Sequence, residues 1–340
     1  MKRYLPFIIL VVGLVAAGLY LEFSDNGSTS LFTDSEDSEN LDLEPIRPAP
    51  EFAGISNWLN SEPLTIEELR GKVVLVDFWT YSCINCIRTL PYLTAWHENY
   101  ADEGLVIVGV HTPEFAFEKD TRNVETAMRR HNIQYAVAQD NDFATWRAYQ
   151  NRYWPAKYLV NQDGQIVYTH FGEGKYDETE NAIRALLGVA GPDASESESL
   201  NNEARADVRT PEIYFGLLRL TAFSGSPTPS SKEQAYSPPE ALAPNHFGLF
   251  GKWVFVDEFI EATQTPGSIR MNFYADKVFM VAESQDATIV EVWLDGEFVS
   301  TVEITESKLY DIVQNAGYGP HMLELRVLNP GLRAFTFTFG

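Results

Sequence analysis

The sequence predicts an α/β domain followed by an all-β sandwich, with a single transmembrane helix and an acidic linker in front of them. Three observations carry this. Between residues 51 and 190, short apolar β-branched runs alternate with longer amphipathic stretches, the pattern of helices packed on a largely central sheet. Beyond a polar stretch at 191–207 the chain becomes a series of short β-rich runs punctuated by Gly, Asp and Pro. Residues 4–21 carry no charge, and at 1.5 Å per residue they extend roughly 27 Å, close to the hydrocarbon thickness of a bilayer.

The N-terminal segment, residues 1–21, has Lys2 and Arg3 before its apolar run and Glu22 and Asp25 after it. The excess of positive charge on the first side directs the rest of the chain out of the cytoplasm. A cleaved signal peptide is the alternative, with Val15-Ala16-Ala17 as its cleavage site. Either way the expected location is extracytoplasmic: membrane-anchored, periplasmic or at the cell surface, or secreted after cleavage. Residues 22–50 are rich in Ser, Asp, Glu and Pro. Such a stretch cannot bury enough apolar surface to offset chain entropy, so a flexible acidic tether is expected.

In the α/β domain, residues 51–190, LTIEELRG (64–71) reads as a short helix stopped by Gly71. KVVLVDFW (72–79) reads as a buried strand and Cys83 to Tyr100 as a helix. GLVIVGVH (104–111) is a second buried strand, Val124 to His131 a helix and YAVA (135–138) a short strand. Residues 156–161 and 165–171 read as a hairpin turning at Asp163-Gly164, and residues 177–188 as a closing helix capped by Gly188. After the linker 191–207, the runs WVFVDEFI, SIRMNFYA, KVFMVAES, TIVEVWLDG, EFVSTVEI, LELRVLN and RAFTFTFG make up the sandwich, residues 208–340, with 224–244 as a long surface loop.

The net charge is −23, and residues 51–340 alone still carry −18. Nucleic-acid binding draws on Lys and Arg against phosphate, so nucleic acid is excluded as a partner. Two cysteines in 340 residues exclude a disulfide scaffold. They stand together as Cys83-Ile84-Asn85-Cys86. A zinc site would need two further close ligands, and the six histidines are scattered, so no metal and no cofactor is expected.

The pair follows a buried strand and opens a helix. Free amide N–H groups and the helix dipole there favour an anion, the attacking form of a thiol, at Cys83. Cys86 lies one turn deeper on the same face, where it can attack a mixed disulfide held on Cys83. Asp77 sits inside the apolar strand six residues before Cys83. Burying an acid is costly unless it is used or paired, and a desolvated carboxylate could take the proton from Cys86. Pro91 lies inside the cysteine helix. Pro155 heads a strand after Tyr153 and Trp154, either as a plain strand start or as a cis peptide presenting the Trp154 backbone to an incoming chain.

VVLVDFWTYSCINC, with Asp77 before and Pro91 after the first cysteine, and the later WPAKYLV, resembles the thioredoxin superfamily. The 72 residues from Cys83 to Pro155 leave room for an insert like that of the membrane-tethered TlpA-like branch. FWTYSCINCIRTLPYLTAW, GVHTPEF, TPEIYFG, LYDIV and FTFTFG resemble the DipZ-type thioredoxin-like proteins across residues 51–340. The resemblance implies a thioredoxin-like domain acting as a disulfide oxidoreductase, joined to a β-sandwich similar to carbohydrate-binding modules. Its clients would be proteins with disulfides. A separate membrane electron donor would be needed if it acts as a reductant, because only one short apolar segment precedes the domain. The chain departs from typical thioredoxins in carrying Ser82 before the first cysteine and Ile84-Asn85 between the two, and that dipeptide tunes the potential.

The candidate site is therefore Cys83, Cys86 and Asp77 for catalysis, with Trp79, Tyr81, Trp154 and Pro155 lining the substrate groove, Trp79 and Tyr81 reading alternatively as plain core. Glu114 is a candidate for proton transfer, although Glu114 and Glu118 read more readily as solvated loop acids and His111 as a satisfied strand-end histidine. Trp253, Trp293, Tyr274 and Tyr318 are candidates for stacking on sugar rings, though aromatic residues in a sandwich are more often core. Two other functions fit the same residues: a thiol peroxidase drawing on Arg88 and Thr89, and a glycan- or partner-binding module whose disulfide is structural.

Overall fold

A computed structural model describes residues 43–190 and 208–340. The N-terminal segment 1–21, the tether as far as residue 42, and the linker 191–207 lie outside the described residues. Among the described residues, no helix is long and apolar enough to cross a membrane.

The α/β half is built on seven strands: β1 (Arg47–Pro48), β2 (Asn57–Leu59), β3 (Val73–Trp79), β4 (Leu105–His111), β5 (Ala136–Gln139), β6 (Ala156–Val160) and β7 (Gln165–Phe171). Their spatial order is β1-β7-β6-β3-β4-β5-β2. β3 is central, parallel to β4 and antiparallel to β6. A strand covered on both faces needs apolar side chains at every position, and β3 and β6 are buried along their whole lengths. Alternation sends Val74, Val76 and Phe78 to one face, where they pack with Val108, Val110, Tyr149 and Tyr158. Asp77 and Trp79 point to the other. Among the described residues this half also holds a short 3-10 helix, Ala116–Lys119, and four α-helices: α1 (Ile84–Tyr100), α2 (Thr121–Arg130), α3 (Ala144–Ala148) and α4 (Tyr176–Leu187). α1 runs on through Pro91, and α4 ends on Gly188 at φ +71°.

Several expected elements differ. Residues 64–71 form a turn rather than a helix. The segment is too short to propagate, and the Glu51 carboxylate accepts the N–H groups of Ile66 and Glu67 at 2.7 and 3.0 Å. The tether does not extend to residue 50, because Arg47–Pro48 pair antiparallel with Gln165 and Ile166. α2 begins earlier than Val124, since the Asp120 side chain caps it by accepting the Arg122 N–H at 3.0 Å. The hairpin of β6 and β7 is present, closed at Asn161 and Gly164.

The C-terminal half is all-β: β8 (Ile213–Tyr214), β9 (Gln234–Tyr236), β10 (Phe247–Phe255), β11 (Ile260–Ala262), β12 (Gly267–Tyr274), β13 (Val278–Glu283), β14 (Thr288–Leu294), β15 (Glu297–Ile304), β16 (Lys308–Val313), β17 (Pro320–Val327) and β18 (Arg333–Phe339). In place of two separate sheets, one path runs β15-β14-β17-β12-β10-β11-β18-β13-β16. β10 serves both halves of it: Phe247–Phe250 pair with β12, whereas Gly251–Trp253 pair with β9 and Trp253–Phe255 with β11. The stretch 224–244 is accordingly not a free loop, since β9 lies within it.

The strand changes partners at Gly251, whose φ is +91° and where a Cβ would meet the Pro266 carbonyl oxygen at 2.4 Å. Gly251→Ala combines a disfavoured backbone with a backbone clash. It is expected to lower stability by about 2 kcal/mol or more, read as a lower urea midpoint at unchanged slope.

The two halves meet along an aromatic seam. Phe115, Val281 and Phe335 are buried together, with Phe117, Tyr214, Phe259 and Leu309 packed around them. Phe115 and Phe117 lie 5.1 and 4.8 Å from Phe335, ring centroid to centroid. Polar contacts flank the seam: Arg219 to Glu114 at 2.8 Å, Arg130 to Glu306 at 2.9 Å, and the Ala116 N–H to Glu258 at 2.9 Å.

Candidate active site

Cys83 is the N-cap residue of α1, with extended backbone (φ −82°, ψ 119°) and no side-chain capping bond. Its carbonyl accepts the Ile87 N–H at 2.9 Å, so the sulfur stands where the first helical N–H groups have no intrahelical partner. Cys83 is half-buried and Cys86 is 1% exposed; both thiols are free. Burial pushes the Cys86 thiol well above its ordinary range, and its hydrogen bond and proximity to Cys83 push the same way. One sulfur is thus reachable, and the other is sheltered and needs a base.

Asp77 is the buried carboxylate on the strand that leads to the pair, and its charge is felt at Cys86. It is 1% exposed, at the centre of β3, with Oδ1 lacking a hydrogen-bond partner. Burial raises its carboxyl to about 7, partly opposed by Lys157. Lys157 lies directly across the β3–β6 register from Asp77, fully buried, its ammonium pushed below the usual lysine range by desolvation. Lys157 is not among the residues expected at the site from the sequence. The signal was present, because a lysine within the apolar run AKYLV is as anomalous as an aspartate within VVLVDFW.

Pro155 is buried and the Trp154–Pro155 peptide is cis. Since Ala156 pairs with Phe78, this peptide lies beside the end of β3 from which the cysteine loop leaves. Trp154 is half-buried, donating from Nε1 to the Thr112 carbonyl at 3.1 Å and packing on Trp146 at 4.3 Å. Trp79 and Tyr81, expected as groove walls, are core residues at 0% and 4% exposure. Trp79 sits edge-on to His111, and Gly109 leaves room for it: a Cβ there would approach its Nε1 to 3.0 Å. Tyr81 stacks on His111. The exposed aromatics near Pro155 are instead Tyr153 and Phe171, at 54% and 48%, with rings 5.6 Å apart.

The acids after β4 also depart from expectation. Glu114 is neither solvated nor turned to the cysteines; its Oε1 accepts from Tyr214 and Arg219 of the β half, each at 2.8 Å. Glu118 is 0% exposed, accepts the Ser82 hydroxyl at 2.6 Å, and takes the Glu114 and Phe115 N–H groups on its other oxygen. Burial, with Glu114 adding to it, raises its carboxyl to about 7. His111 is fully buried and pushed down to about 3, hence neutral at physiological pH. Arg88 and Thr89 are committed elsewhere: Arg88 to Glu173 at 3.2 Å and over the Phe279 ring, Thr89 to the Asn85 carbonyl. In the β half, Trp253 is core, whereas Trp293 is partly exposed with Arg326 over its ring at 3.9 Å. Among the described residues, no group of three or more His, Cys, Asp or Glu is arranged to hold a metal ion.

Comparison with known proteins gives two family matches. Residues 46–169 match the AhpC/TSA family, and residues 210–340 match the thioredoxin-like C-terminal domain family. Protein DipZ of Mycobacterium tuberculosis is 37% identical over 307 residues, covering 88% of this chain and 44% of DipZ. The chain thus spans less than half the length of that relative. Thiol-disulfide oxidoreductase YkuV of Bacillus subtilis is 34% identical over 142 residues, covering 42% of this chain and 95% of YkuV. Thiol-disulfide oxidoreductase ResA of Halalkalibacterium halodurans is 26% identical over 136 residues, 40% of this chain and 72% of ResA.

Proposed function

The chain belongs to the thioredoxin-like thiol-disulfide oxidoreductases, and from that premise we propose that it reduces disulfides of client proteins through Cys83 and Cys86 while held outside the cytoplasm by its N-terminal segment. The observation that carries the proposal is the asymmetry of the pair: Cys83 reachable at the start of α1, Cys86 buried behind it with Asp77 on the adjoining strand.

The Cys83 thiolate attacks one sulfur of a client cystine. A Cys83–client disulfide forms, the client S–S bond breaks, and the departing sulfur takes up a proton. The Asp77 carboxylate accepts the Cys86 proton, and the Cys86 thiolate attacks the Cys83 sulfur. The second client thiol is released and the enzyme is left with a Cys83–Cys86 disulfide; two electrons have passed to the client. A dithiol donor in the membrane restores the reduced pair. Tyr153, Phe171 and the Trp154–Pro155 backbone form the surface that receives the client chain. In the β half, a cleft of about 230 Å³ at Trp293, Arg270 and Glu324 is the place for a wall-glycan contact.

The direction of electron flow is tested by equilibrating the pair against defined dithiol buffers. A reductant is expected near the thioredoxin value of about −270 mV. A value near about −120 mV makes the protein an oxidant, and one below about −300 mV makes the pair a structural disulfide; either overturns the proposal.

A further inference from the structure

The loop 114–118 touches both halves of the molecule, and its two glutamates face opposite ways. Glu118 reaches inward to Ser82, the residue immediately before the nucleophile, with the hydroxyl donating at 2.6 Å. Glu114 reaches outward to the β half, accepting from Arg219 and Tyr214. Glu118 also collects the N–H groups of Glu114 and Phe115, so the placement of one acid is tied to the other through the backbone between them.

Beyond Ser82, the Tyr81 ring against Phe117 and the Asn123 amide on the Phe117 carbonyl, the loop is held from the β half. The Arg219 guanidinium lies 3.8 Å from the centre of the Tyr214 ring and 5.1 Å from that of Phe115. Glu258 accepts the Ala116 N–H. Arg219 and Glu258 are themselves held together: a Cβ on Gly216 would fall 2.2 Å from the Glu258 carbonyl carbon, so the turn carrying Arg219 packs directly on the Glu258 backbone. Phe335 closes the apolar side against Phe115 and Phe117.

We infer that the β half is a working part of the redox centre, with Arg219 as a positioning residue: by neutralising and anchoring Glu114, it holds Glu118 on Ser82 and thereby sets the charge behind Cys83. The charged and titratable groups facing Glu118 are few. Glu114 is on its own loop. Tyr81, from the β3–α1 connection, has its phenol held neutral by burial and by Glu118 itself, with Asp120 and Glu283 of β13 further off. His111, stacked on Tyr81, is neutral. Losing Arg219 leaves the Glu114 charge unopposed, and a like charge beside Glu118 makes its ionisation harder.

The inference rests on Cys83 being the reactive thiol, but its test does not need disulfide exchange. With Cys86→Ser in the full chain, one thiol remains, and its alkylation rate by iodoacetamide is followed against pH. Asp77 and Glu118 both lose a proton near pH 7, so the series is run in the Asp77→Asn background, where the remaining step is expected from Glu118 and is absent in Glu118→Gln. Arg219→Ala is expected to move that step to higher pH, changing the ionised fraction of Glu118 at pH 7 about threefold, and Arg219→Lys to restore it. In the Glu118→Gln background, Arg219→Ala should leave the profile where it was. An unmoved step in folded Arg219→Ala, or an equal displacement with and without Glu118, overturns the inference. Failure of disulfide exchange with the step intact counts only against the oxidoreductase proposal.

Discussion

Cys83→Ser in the full chain is expected to abolish insulin reduction, by roughly 10³-fold or more, while Cys86→Ser accumulates a covalent enzyme–client adduct. The asymmetry follows from burial. A serine hydroxyl at residue 83 keeps its proton at neutral pH and cannot attack a cystine. A serine at residue 86 leaves the attacking sulfur intact but removes the group that releases the client. Non-reducing electrophoresis separates the two outcomes: no adduct in the first variant, a persistent one in the second. Reduction at the wild-type rate by Cys83→Ser would remove Cys83 from the nucleophile's role.

The second large effect is at Asp77. Asp77→Asn is expected to slow resolution of the mixed disulfide by about 10²-fold and to leave the initial attack by Cys83 nearly unchanged. Resolution in the unmodified protein should rise as pH passes through about 7, where Asp77 loses its proton in the folded state, and the substitution should erase that rise. Stability should move oppositely. The folded state raises the Asp77 carboxyl from 3.8 to about 7, so it holds the proton more tightly than the unfolded chain does. The resulting stabilisation is full below the unfolded value and is lost as pH rises toward 7. At pH 8, Asp77→Asn is therefore expected to stabilise the protein, by on the order of 4 kcal/mol from proton linkage alone, less what Lys157 forfeits with its counter-charge. Urea unfolding at pH 5 and pH 8 measures the difference. Equal midpoints for the two proteins at pH 8 would contradict the assignment of Asp77 as a desolvated carboxylate.

The legible parts were those written in local pattern. The strands β3, β4 and β6 declare themselves as unbroken apolar runs because both faces are covered, and the cysteine helix by its position after one of them. Within those runs, only a charged residue can stand out. That is why Asp77 was visible, and Lys157 could have been found by the same logic. What stayed hidden depends on residues far apart in the chain. Trp79 and Tyr81 neighbour the cysteines in sequence, but strand alternation and His111 draw both into the core. Glu114 and Glu118, four residues apart, read alike as loop acids. Only Arg219, 105 residues away, and Ser82, 36 residues away, separate an outward role from an inward one. The change of partners along β10 was equally invisible, since a glycine inside an apolar strand looks the same whether the strand runs straight or bends.

The aromatic seam at Phe115, Phe117 and Phe335 has a consequence for how such a molecule can be rebuilt. Phe115 and Phe335 each contribute about 2–3 kcal/mol when covered, and they pack on each other across the seam. A hybrid that joins the redox portion to a foreign C-terminal module would leave greasy faces wet on both pieces, inviting self-association. Evolution and engineers alike must therefore exchange the two portions as a matched set, or redesign the seam first.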